Sequence, residues 1–91
     1  MKILQTNRFS KSLKKISKQD KLFLDEVIKT IIKTPSIGEE KKGDLKGVFV
    51  YKFKIKNVLF LLSYRYSNEL LELIMLGSHE NYYRDLKNYL D

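Results

Sequence analysis

Two side chains of this 91-residue chain are suited to work on a phosphate, Arg65 and His79. RNA can be cut without a metal when its own 2′-hydroxyl attacks the neighbouring phosphate. The protein must then supply a base, a cation for the developing charge and an acid for the leaving oxygen. Arg65 suits the cation's role, because a guanidinium stays charged and can hold two phosphate oxygens at once. Its plainer alternative is a loose surface pair with Glu72. His79 is the single histidine, and an imidazole ordinarily titrates at roughly pH 6.5, so it is the natural proton-transfer group. A lone histidine after a strand is more often a helix cap or a surface residue. Lys52 and Lys54 would bind RNA beside Arg65, and Tyr82 and Tyr83 are able to stack on a splayed base. The base is left open among Glu39, Glu40, Asp44 and the lysines.

These residues sit in a strongly basic chain, with eighteen Lys and Arg against eleven Asp and Glu, a formal charge of +7. Such a charge on a small protein attracts polyanions before any specific contact forms, so nucleic acid or an acidic protein is the expected partner. The plainer alternative is a generally lysine-rich proteome. There is no cysteine and only one histidine, so neither a disulfide nor a usual nitrogen or sulfur metal site is expected, and no cofactor. No stretch of about 18 apolar residues and no signal-like N-terminus occurs, so the protein is expected to be soluble and intracellular. Glycine-rich phosphate loops, nucleophile elbows and metal-spaced carboxylates are absent too. The length fits one domain over residues 1–91, with a thin core and one shallow open face.

The elements that must position the candidate residues follow from periodicity. Residues 2–6 read as a short strand, and Asn7 as the cap of an amphipathic helix with Phe9, Leu13 and Ile16 on one side and lysines on the other. Ser17 and Asp20 offer a second cap, and Leu22, Phe23, Val27, Ile28, Ile31 and Ile32 continue at helical spacing up to Pro35. A loop from 35 to 47 follows, holding three of the four glycines.

From Val48 to Met75 the period becomes two, with Lys56-Asn57 and Ser67-Asn68 as turns of a three-stranded antiparallel meander. Two-residue turns there pair Phe53 with Phe60, Tyr51 with Leu62, Phe49 with Tyr64, Tyr64 with Leu71 and Leu62 with Leu73. The two helices cover that apolar face, an α+β arrangement in the order β-α-α-β-β-β with a short C-terminal helix. The opposite face, with Val50, Lys52, Lys54, Leu61, Ser63, Arg65, Glu72 and Ile74, is expected to stay open. Strict alternation turns His79 to the packed face, and a bulge or strand end at Gly77 would turn it towards Arg65. Ser78 is the candidate cap of the last helix, on which Tyr83 packs with Leu86 and Leu90 and Tyr82 is freer, the opposite phase also being open.

This order, with Phe9-Ser10-Lys11-Ser12-Leu13-Lys14-Lys15, Gly43-Asp44-Leu45-Lys46-Gly47, Leu61-Leu62-Ser63-Tyr64-Arg65-Tyr66 and the closing Leu76-Gly77-Ser78-His79-Glu80-Asn81-Tyr82-Tyr83, resembles the RelE/ParE superfamily of bacterial type II toxin-antitoxin toxins. The likeness spans essentially the whole chain. It implies a metal-independent endoribonuclease, an mRNA interferase that inhibits translation in the cytoplasm by cutting messenger RNA on the ribosome. An acidic antitoxin would mask it. In the family's RNases an arginine on the second meander strand and a C-terminal histidine, arginine or tyrosine act on the scissile phosphate, positions that Arg65 and His79 match. In YafQ-like members an aromatic four residues after the histidine also contributes, and Tyr83 is similar to it. The chain lacks the additional histidines of the better-studied RNases. The ParE branch shares the fold and poisons DNA gyrase, and fold does not choose between targets. A basic nucleic-acid-binding module without toxicity is the third reading.

Overall fold

Hydroxyl caps set the first boundaries of the chain. The computed structural model describes residues 1–78 and 80–90, so the expected placement of His79 lies outside the described residues. Strand β1 (Lys2–Gln5) ends at Thr6, whose hydroxyl accepts the Phe9 amide at 3.0 Å and so starts helix α1 (Asn7–Lys14). Thr6 rather than Asn7 is therefore the cap. Helix α2 (Lys18–Lys33) starts where expected, with the Ser17 hydroxyl accepting the Asp20 amide at 3.1 Å, and stops before Pro35. Phe9, Leu24 and Ile31 from the two helices are completely buried. Truncating any one of them to alanine removes about 2–5 kcal/mol of stability, the range for emptying a packed core site.

Strand β2 (Glu39–Glu40) lies in the loop expected over 35–47, flanked by short 3₁₀ turns at Pro35–Ile37 and Gly43–Leu45. The meander is β3 (Phe49–Ile55), β4 (Val58–Ser67) and β5 (Leu70–Ser78), and the chain closes with α3 (Tyr82–Leu90). The sheet order is β1-β5-β4-β3-β2. All neighbours are antiparallel except β1, which pairs parallel to β5 from Lys2 opposite Leu70 to Gln5 opposite Leu73. The sheet is thus mixed and five-stranded, where the periodicity pointed to an antiparallel one.

The β3–β4 turn falls at Lys56-Asn57, both at positive φ as a two-residue hairpin turn demands, and Phe53–Phe60, Tyr51–Leu62 and Phe49–Tyr64 pair as expected. The next turn falls one residue later than expected, at Asn68-Glu69, with Asn68 at φ 48°. A turn centred on Ser67-Asn68 would place Ser67 in the left-handed region, which asparagine tolerates better than serine. The partner of Tyr64 is consequently Leu73, not Leu71, and Leu62 faces Leu76, not Leu73.

Between these pairs the register shifts, leaving Ile74 as an extra residue of β5. This bulge, and not Gly77, resets the alternation. Leu76 joins the face under α1 and α2, while Met75 and Gly77 lie opposite Ser63 and Leu61. The helix-covered face is the main core, built on Phe9, Leu24, Ile31, Phe53, Leu62, Tyr64, Leu71 and Leu73. The second face is not fully open. Helix α3 lays Tyr82 and Leu86 over Val48, Val50, Leu61, Ile74 and Met75, forming a smaller second core. Ser78 ends β5 rather than capping this helix, and Asn81, at φ 60°, accepts the Asp85 amide at its start.

Candidate functional site

The bulge at Ile74 frees carbonyls that side chains then satisfy. Thr6 donates its hydroxyl to the Ile74 carbonyl at 2.5 Å. Tyr82 donates to the Met75 carbonyl at 2.6 Å, and the buried Ser63 hydroxyl lies 2.9 Å from the Tyr82 oxygen and 3.2 Å from the same carbonyl. Burial pushes the Tyr82 phenol well above its ordinary range, so it stays a protonated donor. Tyr82 is therefore a packing residue that anchors α3, not a free ring for a nucleobase. Leu86 faces inward and Leu90 packs beside it as expected, but of the two tyrosines Tyr82 is the buried one and Tyr83 lies on the shoulder.

Tyr83 is half-buried, edge-on to Tyr82 at 5.8 Å and 85°. The Lys41 ammonium sits 4.8 Å from the centre of its ring, within cation–π range. Lys41 also bonds the Glu39 carboxylate, which holds the ammonium above its ordinary range against the partial burial that lowers it. Glu39 in turn lies below the usual carboxylate range, through Lys41 first and the more distant Lys52 last. Tyr83, Lys41, Glu39 and Lys52 thus form one polar cluster around the β2–β3 edge. Lys41 reads in the sequence as a solvated charge, and only the return of the 35–47 loop against α3 reveals its place.

Arg65 faces Glu72 across the β4–β5 ladder, and its Nε and Nη2 both lie 3.1 Å from the same carboxylate oxygen. This is the contact with Glu72 that the sequence offers as the plainer alternative to a phosphate-binding role. Both side chains keep substantial exposure, 48% and 33%, in a recess of about 260 Å³ shared with Gly47, Ser67 and Leu70. One edge of the guanidinium is occupied and the other remains available. Lys52 and Lys54 are exposed on the same sheet face, opposite Leu61 and Leu59. From Leu61 to Arg65 is four residues of β4, roughly 13 Å at about 3.3 Å per residue. The second core lies between them. The structure therefore does not gather Arg65, Lys52 and Lys54 into one cluster; it sets them on opposite sides of α3.

Ser78 and Glu80, the chain neighbours of His79, line a cleft between α1 and the end of β5. Among the described residues no three His, Cys, Asp or Glu side chains come together as a metal site, and no helix is long and apolar enough to cross a membrane.

This fold is similar to that of E. coli RelE. The isolated E. coli RelE toxin superposes with a TM-score of 0.65 at 18% identity, over 97% of each chain. A chain of the intact E. coli RelBE toxin-antitoxin complex gives 0.68 at 18% identity, over 87% of this chain and 96% of that one. At that identity the likeness establishes the fold. No match is found among curated protein sequences. The family model for the ParE-like toxin of type II bacterial toxin-antitoxin systems matches residues 3–87, and the chain belongs to that family.

Proposed function

We propose that the protein arrests growth as a ribosome-dependent messenger-RNA endoribonuclease, acting as one toxin domain in the cytoplasm until a cognate acidic antitoxin masks its basic surface. The observation that carries this reading is Arg65. Its guanidinium lies in an open recess, held on one edge by a single carboxylate oxygen, and a phosphate can take the other edge or displace Glu72. The reaction assigned to it needs no cofactor. The RNA 2′-hydroxyl attacks the adjacent phosphorus, the bond to the 5′ oxygen breaks, and a 2′,3′-cyclic phosphate and a 5′-hydroxyl result. Arg65 stabilises the charge on the phosphoryl oxygens, His79 protonates the leaving 5′ oxygen, and Tyr83 supports the reacting nucleotide from the α3 shoulder. Lys52 and Lys54 hold the backbone and messenger and ribosomal RNA are the partners. The 2′ proton goes to a carboxylate or lysine of the 39–46 loop in this reading.

The separation of Arg65 from Lys52 and Lys54 by α3 favours a second reading, a toxin that poisons DNA gyrase by binding alone, since a binder needs no converged base, cation and acid. Pulse labelling after brief induction distinguishes the two. An RNA-cleaving toxin stops amino-acid incorporation first and leaves DNA synthesis running, whereas a gyrase poison stops DNA synthesis first and induces the DNA-damage response.

A further inference from the structure

Past Leu73 no strand of the described residues lies beside the edge of β5, because β1 pairs only with Leu70 to Leu73 and then turns at Thr6 into α1. Helix α1 runs along this uncovered edge, and a cleft of about 430 Å³ opens between the two. Arg8, Lys11 and Lys15 line its helical wall. They fall at i, i+3 and i+7, one stripe of a helix, and extend over roughly 10 Å at 1.5 Å per residue. All three are exposed, and none forms an ion pair with a described carboxylate. The opposite wall carries Gly77 and Ser78 of the strand edge, with the carboxylates of Glu80 and Asp85 at the rim, the latter 3.7 Å from the Arg84 guanidinium. Ser12 and Lys15 continue into an adjoining recess of about 440 Å³ that reaches Ser17 and Phe60.

We infer that this cleft is a track for the phosphate backbone of single-stranded RNA, with Arg8, Lys11 and Lys15 taking neighbouring phosphates and the free β5 edge supplying backbone and Ser78 hydrogen bonds. The inference rests on the RNA-cleaving reading and adds the path of the strand. RNA wraps round the β5 edge and passes Ser78 and Glu80, the neighbours of His79, before reaching the sheet face that carries Arg65. Three cations in a row, none paired with a described carboxylate, fit a polymer of regularly spaced charges. Hydroxyls, charges and backbone make up most of the walls, whereas a protein partner would need an apolar anchor at the centre of its footprint.

The test is binding of a fluorescein-labelled single-stranded RNA to the full chain, followed by anisotropy over a salt series. One variant carries Arg8→Gln, Lys11→Gln and Lys15→Gln. A control carries Lys14→Gln, Lys18→Gln and Lys21→Gln, removing the same charge from outside the cleft. The cleft variant is expected to bind more than tenfold more weakly and to lose about two from the log–log salt slope, at roughly 0.7 per single-strand phosphate contact. The control should weaken no more than about threefold. Equal losses in both variants would reduce the cleft to diffuse attraction and overturn the inference, as would no loss in either. Lys11→Gln alone, with circular dichroism unchanged, gives the same ranking if the triple variant folds poorly. Should the cleft variant keep RNA affinity but lose binding of labelled polyglutamate, the cleft belongs to an acidic protein and the inference fails. Wild-type protein that binds RNA through the cleft yet cuts no message would refute the nuclease reading and leave the track standing.

Discussion

The Tyr82 hydroxyl donates to the Met75 carbonyl across 2.6 Å, and this bond fixes which of two adjacent tyrosines faces inward. Tyr82→Phe removes that bond and the contact with Ser63, and is expected to cost about 1–2 kcal/mol, the range for a buried hydrogen bond. Tyr83→Phe should cost clearly less, because among the described residues the Tyr83 hydroxyl has only the Lys41 ammonium as an electrostatic partner and no hydrogen bond of good geometry. Urea unfolding of the two variants checks the order. Under the proposed function, toxicity should respond the other way, falling with Tyr83→Ala and surviving Tyr82→Phe.

The two buried phenols give stability a definite dependence on alkaline pH. Burial raises both Tyr82 and Tyr64 above the ordinary tyrosine value of about 10. The folded protein keeps these protons while the unfolded chain releases them. Their contribution is therefore complete below about pH 10 and is lost as pH rises through the folded values. Urea midpoints measured from about pH 8 to 11 should fall at the upper end, and fall less steeply in Tyr82→Phe. A flat profile would contradict the burial of these hydroxyls.

Tyr64 also ties the loop after α2 to the sheet, donating to the Pro35 carbonyl at 2.6 Å and accepting the Gly38 amide at 2.9 Å. A Cβ on Gly38 would lie 2.6 Å from the Tyr64 oxygen. Gly38→Ala must displace the ring or the loop, and Tyr64→Phe leaves the Pro35 carbonyl and Gly38 amide without that partner. Each is expected to lose about 1–3 kcal/mol, and their double variant less than the sum, because both break the same link. Thermal melts of the three proteins test this.

Much of this frame was legible in the sequence, because it rests on local rules. Ser17 as a cap, Pro35 as a stop, and Lys56-Asn57 as a turn with both residues at positive φ each follow from the chemistry of one or two residues. The Ile74 bulge does not, since it arises from the turn's move to Asn68-Glu69 and from the hydroxyls of Thr6, Ser63 and Tyr82, which come from distant parts of the chain. The same holds for the parallel pairing of β1 and for the α3 cover of the second face. Once α3 crosses that face, residues alternating on one strand no longer share one site, and Arg65 separates from Lys52.

Glu72 holds Arg65, and a phosphate would compete with it for the same guanidinium. Such a part-exposed pair is worth about 0–1 kcal/mol, so Glu72→Gln should raise RNA affinity by up to about fivefold. Arg65→Ala should lower it. A loss of affinity on Glu72→Gln would instead assign Glu72 the task of orienting the arginine.

In the proposed function Arg65 and His79 cut messenger RNA during translation. Primer extension on cellular transcripts after brief induction, comparing wild type with Arg65→Ala and His79→Ala, tests it most directly. New 5′ ends inside translated codons are expected for the wild type, and should be lost in both variants while each still accumulates as folded protein. Growth arrest by the wild type with intact transcripts, or cleavage undiminished in both variants, would contradict it.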